Sequence, residues 1–444
     1  MLIEFSVGNF RSFKETVTFS MVAANLKSQD ETIDDNNTFA ANNKLRLLKS
    51  AAIYGANASG KTNLAKAMQF MKRFALNSSK NTQEGEPIPT DVFRLSETTR
   101  NEPSFFQIVF LAECVQYRYG FEVTANRIVS EWLFSAAAAR ESNLFQRDAE
   151  GIRVNPKTFR EGKNLKDKTR DNALFLSTVA QFNGETAKRI LTWFRAFNII
   201  SGSDDDHHMG YSLKRLDGES GRNDAVRLVI SLDLDIKNIE ITKEEITTNF
   251  ERLEDSNLPL NQRTQKSPAP AAPMKLEVLG GKSIHTCFDA QGDPSSDVIA
   301  EISEFESEGT QKLIALSGPL TDTLEFGRVL FVDELDARLH PLITCAIIRL
   351  FNSKETNPHN AQLVFATHDT NLLNKDLFRR DQIWFAEKDR NRATHLYSLA
   401  EFRVRNDRSS LESDYIHGKF GAIPFLGDLE RVFGGRKAAR GEEK

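Results

Sequence analysis

The sequence predicts an α/β fold with a phosphate-binding loop and a parallel central sheet, and three observations support that prediction. Residues 55–62 read Gly-Ala-Asn-Ala-Ser-Gly-Lys-Thr and match the pattern G-x-x-x-x-G-K-[ST] at every position. A short apolar run over 50–54 precedes this loop and an amphipathic stretch over 61–74 follows it, which predicts a strand, a loop and a helix N-terminus in succession. Two later apolar runs, 327–332 and 362–366, end in polar residues, as expected of central strands covered on both faces.

The loop has the chemistry of a nucleotide site. Its small residues let successive backbone N–H groups turn toward phosphate oxygens. The Lys61 ammonium is expected to reach the β- and γ-phosphates, and the Thr62 hydroxyl to ligate Mg²⁺. The residues predicted here to bind the nucleotide are Gly55, Asn57, Ala58, Ser59, Gly60, Lys61, Thr62 and Asn63. The expected class is therefore a P-loop NTPase that uses ATP and Mg²⁺; GTP is disfavoured because the chain has no Asn-Lys-x-Asp guanine motif.

Composition excludes several other classes of protein. The chain has 444 residues, enough for two or three domains, and its 40% hydrophobic and 27% charged residues are ordinary for a globular protein. A net charge of −4 provides no global basic field of the kind that a DNA-coating protein or a polybasic membrane anchor carries. Three widely separated cysteines argue against a disulfide framework or a zinc cluster. No apolar run is long enough to span a bilayer and the N-terminus lacks the form of a signal peptide, so we expect a cytoplasmic protein without membrane contact.

The chain is expected to contain one nucleotide-binding domain interrupted by an insertion. Residues 1–125 are predicted to form its N-terminal half and residues 276–444 its C-terminal half. Residues 126–275 are predicted to be a mostly helical insertion that ends in a proline-rich linker over 254–275.

Hydrophobic periodicity places the elements before and within the insertion. Residues 105–111 and 117–123 are predicted to form a β-hairpin, since apolar side chains alternate along the second run. Residues 128–139 and 185–197 are predicted to be helices.

Two features of the insertion allow more than one interpretation. The run of basic residues indicates either a solvated face or a contact with nucleic acid; it comprises Arg160, Lys163, Lys166, Lys168 and Arg170. Residues 204–208, Asp-Asp-Asp-His-His, carry side chains that can bind metals, but neighbours in sequence point in different directions and no second group of ligands is evident. A solvated loop is therefore favoured at 204–208 over a metal site.

Polar residues at the ends of the two later apolar runs supply the expected chemistry. Carboxylates at the C-terminal end of a central strand lie at the ligand edge of an open α/β sheet. Asp333 is expected to hold Mg²⁺, directly or through water, and Glu334 to accept a proton from the attacking water. His368 is expected to contact the γ-phosphate rather than to serve only the fold. Predicted strands over 382–385 and 394–399 complete a sheet of about six strands.

These segments together resemble the ABC-type head ATPases, the group that includes the SMC, Rad50, RecF and OLD proteins. The resemblance rests on Asn9-Phe10-Arg11-Ser12-Phe13, the phosphate loop, the Asp333-Glu334 pair and Thr367-His368-Asp369. It implies an ABC-type ATPase head with a mixed sheet. The chain has no long heptads, so it lacks the coiled-coil arm of SMC proteins.

The resemblance also locates two further elements of the nucleotide site. Residues 306–312, Glu-Ser-Glu-Gly-Thr-Gln-Lys, occupy the position of the ABC signature Leu-Ser-Gly-Gly-Gln, in which Ser307 and Gly309 match. Residues 335–338, Leu-Asp-Ala-Arg, resemble the D-loop that follows the catalytic glutamate. The resemblance thus adds four residues to those expected to bind the nucleotide, namely Arg11, Ser307, Gly309 and Asp336, while Gln181 and Gln107 are both candidates for the Q-loop glutamine.

The whole chain more closely resembles the RloA/AbiL-like ATPases of bacterial phage-defence and restriction-associated loci. The segments that carry this resemblance include 1–21, 172–177, 333–341 and, most specifically, the tail 414–426. The tail is expected to dock on the head or on a partner, because nucleotide chemistry alone does not require it. In this family the ATPase is commonly encoded beside a separate effector, often a TOPRIM-type protein.

The ABC resemblance implies a head-to-tail homodimer with two composite sites, in which Ser307 of one subunit faces the phosphate loop of the other. Two classes of function remain. The first is a regulatory ATPase that holds or triggers a separate nuclease or toxin during phage infection. The second is a Rad50- or RecF-like ATPase that acts directly on DNA, with strong and salt-sensitive DNA binding as its distinguishing property. The neutral overall charge, the absent coiled coil and the tail favour the first class.

Overall fold

The computed structural model describes residues 1–28, 30–81, 83–136, 140–200, 205–218, 222–232, 236–248, 274–403 and 410–424. The chain divides into two compact units. The first, called here the head, comprises residues 1–203 and 323–444, and the second, called the inserted unit, comprises residues 204–322. The inserted unit is shorter than the predicted insertion 126–275 and begins later in the chain. The predicted proline-rich linker lies almost wholly outside the described residues.

The strands in the described residues are, in chain order, β1 (Leu2–Gly8), β2 (Val17–Ser20), β3 (Thr38–Ala40), β4 (Arg46–Leu48), β5 (Ser50–Tyr54), β6 (Ser104–Ala112), β7 (Val115–Val123), β8 (Ile128–Ala136), β9 (Ser142–Asp148), β10 (Gly151–Val154), β11 (Asn198–Ile200), β12 (Asn238–Thr248), β13 (Met274–Phe288), β14 (Pro294–Glu301), β15 (Val329–Val332), β16 (Gln362–Ala366), β17 (Ile383–Lys388) and β18 (Thr394–Ser398).

The α-helices in the same residues are α1 (Glu31–Asn37), α2 (Lys61–Asn81), α3 (Phe175–Gln181), α4 (Glu185–Ala196), α5 (Asp205–Asp217), α6 (Arg222–Leu232), α7 (Ile302–Phe305), α8 (Glu308–Phe326), α9 (Pro341–Asn352) and α10 (Leu411–Ile416).

The central sheet of the head positions the predicted site. Its strand order is β11-β15-β16-β5-β17-β18, and all neighbours are parallel except β18, which pairs antiparallel with β17. Every residue of β5, β15 and β16 is buried, as continuous apolar runs predict for strands covered on both faces. The carboxyl ends of the parallel strands meet at one edge, and the phosphate loop, Asp333 and His368 all follow strands that end there. The prediction of an α/β fold with a mixed sheet is confirmed.

A larger antiparallel sheet accompanies the central sheet in the head. Its order is β10-β9-β8-β7-β6-β1-β2, and the predicted hairpin is confirmed as β6 and β7. Helix α2 contributes Leu64, Met68 and Met71 to a core that also contains Phe5 and Phe106 of this sheet.

One buried side chain joins the two sheets directly. The Gln362 amide at the start of β16 accepts a hydrogen bond from Leu2 N at 2.6 Å and donates to Leu2 O at 3.0 Å. Strand β1 is therefore joined to the central sheet at its first residue, Leu2.

The prediction of a helix over 128–139 is wrong, because Ile128–Ala136 forms strand β8 between β7 and β9. Its pairing explains the difference. Trp132 lies opposite Gly120 of β7, where a Cβ atom would come 2.4 Å from the Trp132 ring. The indole fills the space that glycine leaves, a cross-strand contact that no local pattern shows. The predicted helix over 185–197 is confirmed as α4.

The inserted unit contains both helices and strands. Its three-stranded antiparallel sheet has the order β12-β13-β14. A small core joins the sheet to the helices of this unit, and its buried members are Leu213, Leu216, Ala225, Val229, Ile236, Ile239, Ile302 and Ile314. The loop predicted for 204–208 is wrong from residue 205 onward, because Asp205–Asp217 is helical. Among the residues that the structure describes, no cluster of acidic, histidine or cysteine side chains could hold a metal ion.

None of the helices in the described residues is both long enough and apolar enough to traverse a membrane.

Candidate nucleotide-binding site

The phosphate loop has the backbone conformation that its glycines predict. Gly55 and Gly60 have φ angles of 154° and 117°, and the non-glycine Ala58 lies in the left-handed region at 61°. A Cβ atom at Gly55 would come 2.3 Å from the Ala386 carbonyl oxygen of β17, and one at Gly60 would come 2.3 Å from Thr394 Oγ1 of β18. Both glycines are therefore required by conformation and by space.

Lys61 is buried within the loop. Its Nζ donates to the carbonyl oxygens of Gly55 at 2.7 Å and Ala56 at 3.2 Å. Burial lowers the pKa of Lys61 to about 8, while the carboxylates of Asp333 and Glu334 act in the opposite direction. A poorly solvated ammonium is stabilised strongly by an anionic partner, so Lys61 is well suited to bind phosphate.

Side chains from two other segments support the loop. Thr394 Oγ1 of β18 lies 2.7 Å from Ser59 O and 2.8 Å from Ser12 Oγ, and Asn63 Nδ2 donates to the same Ser12 hydroxyl at 2.8 Å. Ser12 and Thr394 are not among the residues that the sequence predicts to bind the nucleotide or to support the loop. Only the tertiary pairing of β18 beside β17 brings them to the loop.

Thr62 and Asp333 fit a site for Mg²⁺. The Thr62 hydroxyl hydrogen-bonds the Asp333 carboxylate, and Asp333 Oδ1 is buried without a hydrogen-bond partner in the described part of the protein. Burial raises the pKa of Asp333, with the Thr62 hydrogen bond opposing that shift. A hydroxyl beside an unsatisfied carboxylate oxygen is the hard oxygen donor set that Mg²⁺ prefers, so the residues fit this ion.

Glu334 and His368 lie at the same edge of the central sheet. Glu334 is exposed and has a φ angle of 55°, a left-handed conformation that is uncommon for a non-glycine residue. Asp336 Oδ2 accepts a hydrogen bond from His368 N at 3.2 Å, while Asp336 Oδ1 has no partner among the described residues. Burial, followed by the Lys61 charge, lowers the pKa of His368. The Asp336 side chain thus links the segment after β15 to the backbone after β16.

A cavity of about 1540 Å³ opens in front of the phosphate loop. It is lined by 55–59 of the loop, by His368 and Thr370, by the turn between β17 and β18, and by part of the tail. The hairpin of β17 and β18 contributes both basic and acidic side chains to the lining, namely Glu387, Lys388, Asp389, Arg390, Arg392 and His395, and His395 Nε2 lies 3.2 Å from the Asp389 carboxylate.

Arg11 lies in a different setting. Its backbone N–H donates to Asp91 O at 2.6 Å, and its guanidinium lies 3.5 Å from the Asp91 carboxylate. It lines a second cavity of about 550 Å³ along α2, together with Lys66 and Phe70. The expectation that Arg11 binds the nucleotide stays a prediction.

The predicted signature lies within the inserted unit. Ser307 is exposed, and its Oγ accepts a hydrogen bond from Thr310 N at 3.2 Å at the start of α8. Gly309 lies in the first turn of the same helix. Glu306 Oε1 lies 2.7 Å from His285 Nε2 of β13, so this acidic residue serves the local structure.

The two candidate Q-loop glutamines differ in environment. Gln107 Oε1 of β6 accepts hydrogen bonds from Trp132 Nε1 at 3.1 Å and Arg118 at 3.4 Å, and Gln181 is exposed at the end of α3. The choice between them stays open.

A family model described as "AAA domain, putative AbiEii toxin, Type IV TA system" matches residues 50–374, more than half of the chain. No curated protein matches the sequence significantly. Among solved structures, the chain is similar to an SMC head bound to the C-winged helix domain of ScpA, with 13% identity, 89% of this chain and 97% of that chain covered, and a TM-score of 0.44. It is also similar to the SMC head domain from Thermotoga maritima, with 13% identity, 91% and 99% covered, and a TM-score of 0.38.

Proposed function

We propose that this chain, which belongs to the AAA domain family of putative AbiEii toxins of type IV toxin–antitoxin systems, binds and hydrolyses Mg²⁺-ATP as an assembly switch. The main evidence for this proposal is a group of three side chains. The buried Lys61 ammonium, the Thr62 hydroxyl and the unsatisfied Asp333 oxygen meet where the phosphate loop enters α2. A buried ammonium, a hydroxyl and an unsatisfied carboxylate oxygen in this order are typical of a site for a nucleoside triphosphate and its Mg²⁺.

Each residue has a distinct task in the proposed reaction. Lys61 and the loop amides bind the phosphates, and Thr62 and Asp333 are the residues that would hold Mg²⁺. The ion supplies neutralisation of charge on the phosphate oxygens. Glu334 orients the attacking water and accepts its proton, and His368 contacts the γ-phosphate. Such catalysis consists of positioning and charge stabilisation, so loss of any one group is expected to be severe.

The output of the switch is proposed to be control of a separately encoded effector, a TOPRIM-type or other nuclease or a toxin, in defence against phage. The toxin–antitoxin description of the family supports this context. ATP binding would close a head-to-tail homodimer in which Ser307 and Gly309 of one subunit complete the site of the other. The exposed Ser307 at the start of the long helix α8 supports that role, because a helix N-terminus favours an anion.

Two variants test the nucleotide site. Lys61→Ala is expected to abolish both ATP binding and hydrolysis, because the buried Lys61 is the only cationic side chain in the loop 55–62. Glu334→Gln is expected to keep ATP binding and to lose hydrolysis, which traps the closed assembly. Turnover equal to wild type in both variants would rule out the site.

The effector is tested by purifying the Glu334→Gln protein with Mg²⁺-ATP from cells that also express the neighbouring genes, and measuring its native mass and composition. A second polypeptide bound only with ATP supports the defence complex. A homodimer alone, or one that carries DNA, favours the alternative below.

Direct action on DNA, in the manner of Rad50 or RecF, is the second candidate, and one surface favours it. Arg160, Lys163, Lys166 and Lys168 are exposed and form no ion pair with any residue that the structure describes. Phe182 is 53% exposed, and Lys168 Nζ lies 5.1 Å from its ring centre. A cation against an exposed ring suits a single-stranded nucleic acid. Salt-sensitive DNA binding that Lys163→Glu and Lys166→Glu together remove would support this candidate.

A further inference from the structure

The C-terminal segment, residues 410–424, forms one wall of the cavity in front of the phosphate loop. It consists of helix α10 and the turns that follow it. The segment contributes Tyr415, Ile416, Ala422, Ile423 and Pro424 to a cavity that also contains 55–59 of the loop. The segment therefore faces the same space as the predicted phosphate-binding residues.

Tyr415 connects this segment to the strand that carries the phosphate loop. Its ring packs edge-on against Tyr54, with ring centres 5.9 Å apart, and stacks on Phe385 of β17 at 5.5 Å. Tyr54 is the last residue before Gly55, and β17 provides the Ala386 carbonyl against which Gly55 lies. A displacement of Tyr415 would consequently be transmitted to the first glycine of the loop through two fully packed contacts.

A second contact reaches the other side of the cavity. Thr370 Oγ1 donates a hydrogen bond of 2.8 Å to Glu412 Oε1 of α10. Thr370 lies two residues after His368, in the turn whose backbone is also held by Asp369. The segment thus contacts both the loop side and the histidine side of the cavity.

The fold of the segment is matched to this position. Tyr415 OH donates to Ala422 O at 3.0 Å, and Tyr397 OH of β18 lies 2.8 Å from Phe420 O. Gly421 has a φ angle of 70°, and a Cβ atom there would come 2.7 Å from Tyr397 OH. A side chain at Gly421 would therefore separate the segment from β18.

We propose that the C-terminal segment is part of the nucleotide site, with Tyr415 positioning the phosphate loop and Glu412 positioning the turn that carries His368. This inference rests on the proposed ATPase function. ATP binding and docking of the segment then stabilise each other, and thermodynamic linkage makes the two effects equal. ATP therefore orders the segment, and loss of the segment's contacts weakens ATP binding.

The first test uses the wild-type full-length chain. Hydrogen exchange of the peptides covering 410–424 is measured without nucleotide and with Mg²⁺ and a non-hydrolysable ATP analogue. Exchange in the segment is expected to slow when the analogue binds, in addition to the slowing expected at the phosphate loop itself. The loop peptides report whether the analogue binds, so they test the proposed function separately.

The second test compares matched variants in ATP binding and turnover. Tyr415→Ala and Glu412→Ala are expected to weaken binding of the analogue by about fivefold or more, the lower end of ordinary coupling between sites. Glu412→Gln retains an oxygen that accepts from Thr370 and is expected to stay near wild type. Ser413→Ala is the control on the same helix, because Ser413 is exposed.

The outcomes separate the two proposals. If the loop peptides of wild type show no protection, the ATP site itself is wrong. If the loop is protected but the segment is not, and Tyr415→Ala lowers only the melting temperature without changing analogue affinity, the segment is a packing element and the inference is overturned. Slower exchange in the segment, together with weaker binding in Glu412→Ala than in Glu412→Gln, supports it.

Discussion

At the scale of single residues, the oxygen atoms of Thr62 and Asp333 determine how the proposed site would hold Mg²⁺. The Thr62 hydroxyl contacts a carboxylate that has a buried and unsatisfied oxygen. Replacing Thr62 with valine keeps the shape of the side chain and removes the donor. We expect Thr62→Val to raise the Mg²⁺ concentration needed for half-maximal ATP hydrolysis by about tenfold or more.

Thr62→Ser is the matched control, because it keeps the hydroxyl, and it should need nearly the wild-type Mg²⁺ concentration. Removal of Mg²⁺ with a chelator should stop hydrolysis in all three proteins. Identical Mg²⁺ dependence in Thr62→Val and wild type would contradict the assignment.

Glu131 is expected to contribute to the free energy of unfolding, and no motif in the sequence indicates this role. Its buried carboxylate accepts hydrogen bonds from Phe175 N at 2.7 Å, Leu176 N at 3.0 Å and Tyr119 OH at 3.0 Å. Glu131→Gln places an amide N–H₂ where one of these donors needs an acceptor. We expect a loss of about 1–3 kcal/mol in the free energy of unfolding, measured with urea.

The same residue predicts a pH dependence. Burial raises the pKa of Glu131, so the folded protein holds this proton more tightly than the unfolded chain does. Its contribution to stability is therefore greatest at low pH and decreases as the pH rises through the folded-state pKa. The difference in unfolding free energy between wild type and Glu131→Gln should therefore be larger below the folded-state pKa of Glu131 than above it. A difference that grows with pH would contradict this assignment.

At the scale of elements, strand β18 supports the phosphate loop, although the two are far apart in the sequence. Thr394 at its first position hydrogen-bonds Ser59 O and Ser12 Oγ. Thr394→Val removes that hydroxyl, and we expect the KM for ATP to rise by about three- to tenfold with only about 1 kcal/mol lost in stability. Thr394→Ser, which keeps the hydroxyl, should restore the KM. A KM unchanged in both variants would show that the loop holds its conformation without β18.

The elements also show which features a sequence can predict. Residues 329–332 and 363–366 are apolar at every position, and such a run favours a strand that is buried on both faces. Ile128–Ala136 is different, because its residues are placed by partners rather than by periodicity. Trp132 is fixed by Gly120 across the sheet and by Gln107, and neither partner is close in sequence. Local patterns therefore predicted the central sheet but misassigned β8.

At the scale of the whole molecule, the site depends on segments that are far apart in the chain. The phosphate loop follows β5, Asp333 follows β15 and His368 follows β16, and motif spacing was sufficient to predict that they meet. The sequence predicted that the tail docks, but its place beside the phosphate loop depends on long-range packing, and the left-handed conformation of Glu334 was not predicted either. Motifs thus predict which groups meet at the candidate site, while the contacts that support these groups are seen only in the structure.

The proposed head-to-tail dimer makes a prediction that only a complete assembly can test. If Ser307 of one subunit completes the site of the other, a Lys61→Ala chain and a Ser307→Arg chain are each inactive alone but complement each other. A mixed dimer contains one intact site, formed by the loop of one chain and the signature of the other. After mixing in equal amounts, ATP hydrolysis should recover to about a quarter of wild type, since half of the dimers are mixed and each has one working site.

The control is a Lys61→Ala/Ser307→Arg double variant, whose mixture with Lys61→Ala leaves every site without its lysine. No recovery in the first mixture, with both chains folded and dimeric, would place the signature and the loop of one site in the same subunit.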